Sequence, residues 1–202
     1  IIPIEQYGVQ LMSIGFLTPT EDAVVWRGPM ASSALKQFIS DTKWHDCDYL
    51  FIDLPPGTSD IHLTLVQTIP VTGVIIVTTP QKVALADAQK GLAMFKQPQI
   101  NVPILGIVEN MAFFTPEELP NNKYFIFGEE GGAKFAKKND VPLLGQIPIV
   151  QSVRESGDIG YPAVMTEGIT ADAFKELAAG LARQIAIRNA KENKTQVVEV
   201  TV

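Results

Sequence analysis

The chain is poor in the residues that usually announce a covalent scaffold or a metal cage. Cys47 is its only cysteine, which excludes a disulfide framework and any site built on an intrachain cysteine pair. His45 and His62 are its only histidines, and they lack ligand-like spacing to each other, so helix or surface roles are expected. No apolar run reaches the roughly 18 residues that a membrane-spanning helix needs. Basic residues are the minority, with 16 Lys and Arg against 22 Asp and Glu and a net charge of −6. That balance argues against a nucleic-acid binder working through a basic field. Neither a Gly-x-Ser-x-Gly elbow nor a His-Glu-x-x-His pair is present. The opening Ile1-Ile2-Pro3 has no Met start, charged leader or signal-type segment, and reads as a fragment or as the ordered part of something longer.

What is present is a core. Hydrophobic residues make up 46% and charged residues 19% of 202 positions, so whole-chain disorder is excluded. Short apolar runs alternate with amphipathic stretches. Val9–Ile14 alternates like a strand, and Val24–Trp26 reads as a short extended piece. Met30–Ser40 has helical spacing behind Pro29, a tolerated first-turn proline. Tyr49–Leu54 is a continuous apolar run with an acid near its end, the pattern of a strand buried on both faces. The unit then repeats: a helix over 60–69, a strand over 73–79, a helix over 84–96 and a strand over 104–108. A loop is expected over 110–125, then a short helix over 131–139, a strand over 143–147 and a long helix over 170–188 capped by Thr170. Such alternation predicts an α/β fold, a doubly wound and mostly parallel sheet. One domain is expected over 1–190, with 191–202 as a tail.

In open parallel sheets ligands bind beyond the carboxyl ends of the strands. Asp53-Leu54-Pro55-Pro56-Gly57-Thr58 follows the first strong run. A carboxylate there needs a cation, and Mg²⁺, held directly or through water, is one. Prolines stiffen the turn, and Gly57 lets its N–H approach a ligand closely. This is the physical form of an acid for the metal and an amide for a γ-phosphate; a turn or N-cap carboxylate reads equally from the spacing. Asn110, after the 104–108 run, offers the donor and acceptor that match an adenine edge, or simply turns the chain. Pro148 and Ile149 stand where they flank a base, or where a proline ends a strand. Gly128–Gly132 carries two acids that repel phosphate, and reads as a helix start. Cys47 reads as a packed thiol, and Lys134, Lys137 and Lys138 as a solvated face.

Several of these segments together resemble the Mrp/ApbC family. They are Ser13–Leu17, Val25–Met30, Asp48–Thr58, Val77–Gln81, Gly106–Met111, Ile126–Gly128 and Leu144–Pro148, in order, over roughly Ile4 to Pro162. Members are P-loop ATPases of the MinD/ParA-like branch, implicated in iron–sulfur cluster carriage and assembly. The resemblance implies a P-loop NTPase sheet incomplete at its N-terminus, and ATP and Mg²⁺ as cofactors. It also implies a homodimer, with iron–sulfur client or assembly proteins as partners, and a cytoplasmic location is expected; the acidic charge and the lack of an apolar anchor after Lys191-Glu192-Asn193 argue against nucleic acid and membrane as partners. By it, Asp53 would hold the Mg²⁺ water shell, Gly57 would sense the γ-phosphate, and Asn110 with Pro148 and Ile149 would bracket adenine.

Two departures qualify it. No Gly-x-x-x-x-Gly-Lys-Ser/Thr occurs in these residues, so a triphosphate lacks its cradle of amides and its lysine. The chain alone is then expected to hydrolyse no ATP, and an apolar sheet edge or face is expected to need covering. Many relatives carry a Cys-x-x-Cys where this chain reads Ala112–Lys123 without a thiol, so an iron–sulfur cluster loses its natural ligands; Glu117 and Glu118 offer only oxygen. The leading expectation is an ATP-hydrolysing cluster carrier. The alternatives are a MinD/ParA-like positioning switch without a cluster, and a nucleotide-free interaction module.

Overall fold

The computed structural model describes residues 1–17, 28–116, 118–119 and 121–199. They fall into two compact units, Ile1–Pro70 with the C-terminal segment from Gln196, and Val71–Thr195. In the first, β1 (Ile4–Gln6) and β2 (Val9–Leu11) pair antiparallel. Their connection, Tyr7-Gly8, has φ of 53° and 75°, the doubly left-handed turn whose twist suits a two-residue hairpin. The alternation over 9–14 therefore ends early: Ile14–Phe16 is a 3₁₀ turn capped by the Ser13 hydroxyl. Val24–Trp26 lies outside the described residues. Helices α1 (Gly28–Ser40) and α2 (Asp60–Thr68) pack on each other. The N-terminus of α2 is fixed by Ser59, whose N–H donates to His62 Nδ1 at 3.2 Å, so the buried His62 serves as a helix-capping residue. Near the other end of α2, the Val66 carbonyl accepts the Val198 N–H at 2.9 Å, which ties the tail down.

One expectation fails in this unit. Tyr49–Leu54 forms no regular element and pairs with no strand among the described residues, and Phe51 is 67% exposed. A run apolar on both faces becomes a strand only when neighbours satisfy its backbone and cover its sides.

The second unit carries the parallel sheet. Strands β3 (Val74–Thr78), β4 (Ile104–Phe114) and β5 (Leu143–Ile149) lie in the order β3-β4-β5, both pairs parallel. Parallel neighbours require crossovers, supplied by α3 (Lys82–Phe95) and α4 (Gly131–Lys138). Ile76 and Ile107 from the sheet meet Leu92 of α3 and Phe135 and Ala136 of α4 in the core. Each such side chain contributes about 1.5–3 kcal/mol by leaving water. The opposite sheet face meets α6 (Ile169–Lys191): a Cβ at Gly145 would sit 3.5 Å from Leu177 Cβ, and at Gly180 3.5 Å from the Leu144 carbonyl oxygen. The α/β class with a parallel sheet is as expected.

Boundaries differ in instructive ways. β4 does not stop at Val108 but continues through Phe114, where Phe114 and Tyr124 form an antiparallel bridge. Continuation past Asn110 is possible because Met111 takes φ of 55° and the β4–β5 register shifts between Asn110 and Phe114, a bulge in effect. Pro148 lies inside β5 rather than after it; β5 is an edge strand, where a missing N–H is tolerated. Helix α5 (Gln151–Asp158) occupies a strongly polar stretch to which the sequence reading assigns no element. Gly168, with φ of 113°, takes the cap position of α6 in place of Thr170, which is buried one residue inside the helix.

Candidate functional site

Asn110 is half-buried at the carboxyl-side half of β4. Its Oδ1 accepts the Met111 N–H at 3.0 Å, which orients the carboxamide by the left-handed kink immediately after it. Among the described residues its two N–H donors and the second lone pair of Oδ1 have no partner and suit a ligand edge. In register, Asn110 faces Ile147 and Phe114 faces Ile149 on β5. Asn110 thus lies on the rung just before buried Pro148 and half-buried Ile149 of the neighbouring strand, at the end where parallel sheets receive ligands. The kink itself is costly, since a non-glycine residue at φ near +55° lies in the left-handed region.

Next to Asn110 is a residue that sequence reasoning passed over. Glu109 is fully buried, at 0% exposure. Its Oε1 accepts the Gly132 N–H at 2.9 Å, and its Oε2 accepts from Gln146 Nε2 at 2.7 Å. A buried carboxylate costs several kcal/mol unless so partnered, and here the first turn of α4 supplies one donor and the helix dipole. The Gly128–Gly132 segment thus starts a helix, as expected, and its amide end is already engaged. Gly132 is glycine for this approach: a Cβ would lie 2.8 Å from Glu109 Cβ. The signal was an acid closing an apolar run, the same signal that singled out Asp53.

Asp53 and Gly57 belong to the first unit. Asp53 is exposed, and among the described residues its carboxylate makes no hydrogen bond or ion pair. Gly57 has φ of +87° and nothing within 4 Å of a would-be Cβ, so its amide is approachable. An uncommitted carboxylate four residues before an open glycine amide fits an oxygen-loving, hydrated Mg²⁺. The residues do not fit an iron–sulfur cage. Cys47 is exposed rather than packed, with its Sγ 3.5 Å from the His45 carbonyl oxygen. Among the described residues no group of three or more His, Cys, Asp or Glu side chains could hold a metal. Glu118 is exposed, and Glu117 lies outside the described residues. No helix among the described residues is long and apolar enough to cross a membrane.

Comparison with known proteins shows the family and the fold. A family model described as ParA, NUBPL iron-transfer P-loop NTPase, matches residues 1–185. The chain is 47% identical over 184 residues to an iron-sulfur cluster carrier protein of Synechocystis, covering 91% of this chain and 51% of that protein. It is 44% identical to an iron-sulfur cluster transfer protein NUBPL of Dictyostelium discoideum, covering 96% of this chain and 60% of that one. The chain thus spans about half the length of the first of these curated relatives. Among solved structures, a nucleotide-binding protein from Archaeoglobus fulgidus in complex with ADP is 32% identical with a TM-score of 0.64, over 79% of this chain and 60% of that chain. The cell division ATPase MinD of Pyrococcus furiosus, at 24% identity and a TM-score of 0.54 over 80% of this chain and 63% of that chain, shares the fold.

Proposed function

The chain belongs to the NUBPL iron-transfer P-loop NTPase family, and from that premise we propose that it is the larger part of an ATP-binding, ATP-hydrolysing carrier or assembly factor for iron–sulfur clusters. The observation that supports the nucleotide reading is the place of Asn110 on the rung with Ile147, next in β5 to Pro148 and Ile149, at the receiving end of β4 and β5. Asn110 would pair with the adenine edge, and Pro148 and Ile149 would flank the ring. Gly57 N–H would donate to a γ-phosphate oxygen, and Asp53 would orient the water shell of Mg²⁺. The metal, when bound, neutralises triphosphate charge.

These residues contain no Gly-x-x-x-x-Gly-Lys-Ser/Thr, so turnover requires a loop of that kind from elsewhere, and the 202 residues alone should hydrolyse no ATP. The cluster is cargo in this reading. Its thiolates must come from outside Ala112–Lys123, which contains none. We further propose that residues 1–190 act as one nucleotide-binding domain, that the working protein is a cytoplasmic homodimer, and that its partners are iron–sulfur clients rather than nucleic acid or membrane.

The test of the base site is Asn110→Ala in a polypeptide bearing a glycine-rich loop ahead of Ile1. ATP affinity should fall about tenfold while tripolyphosphate affinity holds; equal losses for both ligands would remove Asn110 from base recognition. A second reading, a MinD/ParA-like positioning switch without cargo, is favoured by the missing thiols. Anaerobic reconstitution with iron and sulfide separates the two: a stoichiometric cluster supports carriage, and none supports the switch.

A further inference from the structure

We propose that Glu109 and Gln146 form a buried register lock that sets the base-reading geometry of Asn110, a role that deepens the adenine reading above and rests on it. Glu109 ties three elements at once: it sits on β4, accepts from Gln146 of β5 at 2.7 Å, and accepts from Gly132 at the start of α4 at 2.9 Å. Glu109 and Gln146 are also register partners, so their side-chain bond crosses the same rung as the backbone ladder. The next rung is Asn110 with Ile147, and Pro148 and Ile149 follow.

This lock stands where the ladder is weakest. Immediately beyond Asn110 the register shifts, and Met111 adopts φ of 55°, so the backbone alone does not hold the two strands in step. A slip of one residue sends every side chain to the other face, which would exchange Asn110 for a neighbour at the ligand end. Charge-assisted bonds to a carboxylate are the strong ones, and at 0% exposure water does not compete for them. The carboxylate has two acceptor oxygens for two donors. A carboxamide there would keep both partners only with Gln146 turned to present its oxygen to the NH₂. Glu109 is therefore a positioning residue: it touches no ligand and acts through Asn110.

The chemistry provides its own control. Q146L removes the donor to Glu109 Oε2 and so breaks one of the two bonds. In the double variant E109Q/Q146E the carboxamide at position 109 accepts from Gly132 N–H and donates to the carboxylate at position 146, so every donor again has an acceptor. Two readouts are taken. The first is the side-chain amide resonance of Asn110 by NMR in the 202-residue chain, which needs no nucleotide. The second is the ratio of ATP to GTP affinity in the loop-bearing polypeptide.

Q146L should shift the Asn110 amide and lower the ATP preference about tenfold, and the swap should keep both as in the wild type. Loss of thermal stability in Q146L with the Asn110 resonance and the nucleotide ratio unchanged would overturn the lock and leave Glu109 a structural acid. If the Asn110 resonance shifts in Q146L and not in the swap, but the wild type shows no preference for ATP, the lock stands and the adenine reading falls.

Discussion

Two stretches of this chain share one sequence signature and end in different structures. Ile104–Val108 running into Glu109, and Tyr49–Leu54 with Asp53, are both continuous apolar runs closing on an acid. In the second unit the run is β4, flanked by β3 and β5, with Ile107 and Glu109 wholly enclosed. In the first unit the run has no ladder partner among the described residues, and Phe51 and Asp53 are exposed. An apolar run thus specifies a strand only where flanking strands exist to receive it. The acid follows its surroundings: enclosed, it becomes a tie between elements; exposed, it stays free for a cation.

Substitutions can break or sharpen that contrast. Leu92→Ala removes a side chain from the closed core of the second unit and should lower stability by about 3 kcal/mol, read from urea unfolding. Gly131→Ala comes next. Its Cβ would lie 2.7 Å from Pro80 Cα and collide with the Pro80 carbonyl, a backbone clash that should cost about 2 kcal/mol in the same assay. Gly57→Ala meets open space and suffers only from its φ of +87°, so about 1 kcal/mol is expected. Phe51→Ser, at a 67% exposed position, should change stability by no more than about 0.5 kcal/mol. A loss at Phe51 equal to that at Leu92 would erase the difference between the two runs. Hydrogen exchange gives the backbone version: amides of 106–109 should be among the slowest in the chain, and those of 50–54 close to unprotected.

The residues themselves show why only part of this was legible. β3, α3 and α6 carry unbroken β-branched runs or a stripe of apolar residues, and periodicity found them within a few positions. Helix α5 escaped because Gln151–Asp158 offers Val153 as its one large apolar side chain; its burial comes from Ser156, which no hydropathy pattern marks. The extension of β4 escaped because it depends on the left-handed Met111, and periodicity carries no signal for a bulge. At the site, Asn110, Pro148 and Ile149 were named from their positions after apolar runs. Their relative placement depends on the register of β4 with β5, a long-range fact. Glu109 was legible in principle by the reasoning applied to Asp53, yet the acid that proved buried was the one passed over. Cys47 illustrates the reverse error, since a thiol beside an apolar run is buried only if that run is.

Magnesium-dependent ATP turnover in the loop-bearing polypeptide, with Asp53 intact and as Asp53→Ala, tests the functional reading most directly. The expected result is a loss of about a hundredfold or more in the variant, with the variant still folded by circular dichroism. Equal turnover in the two proteins would contradict the assignment of that exposed carboxylate to the metal.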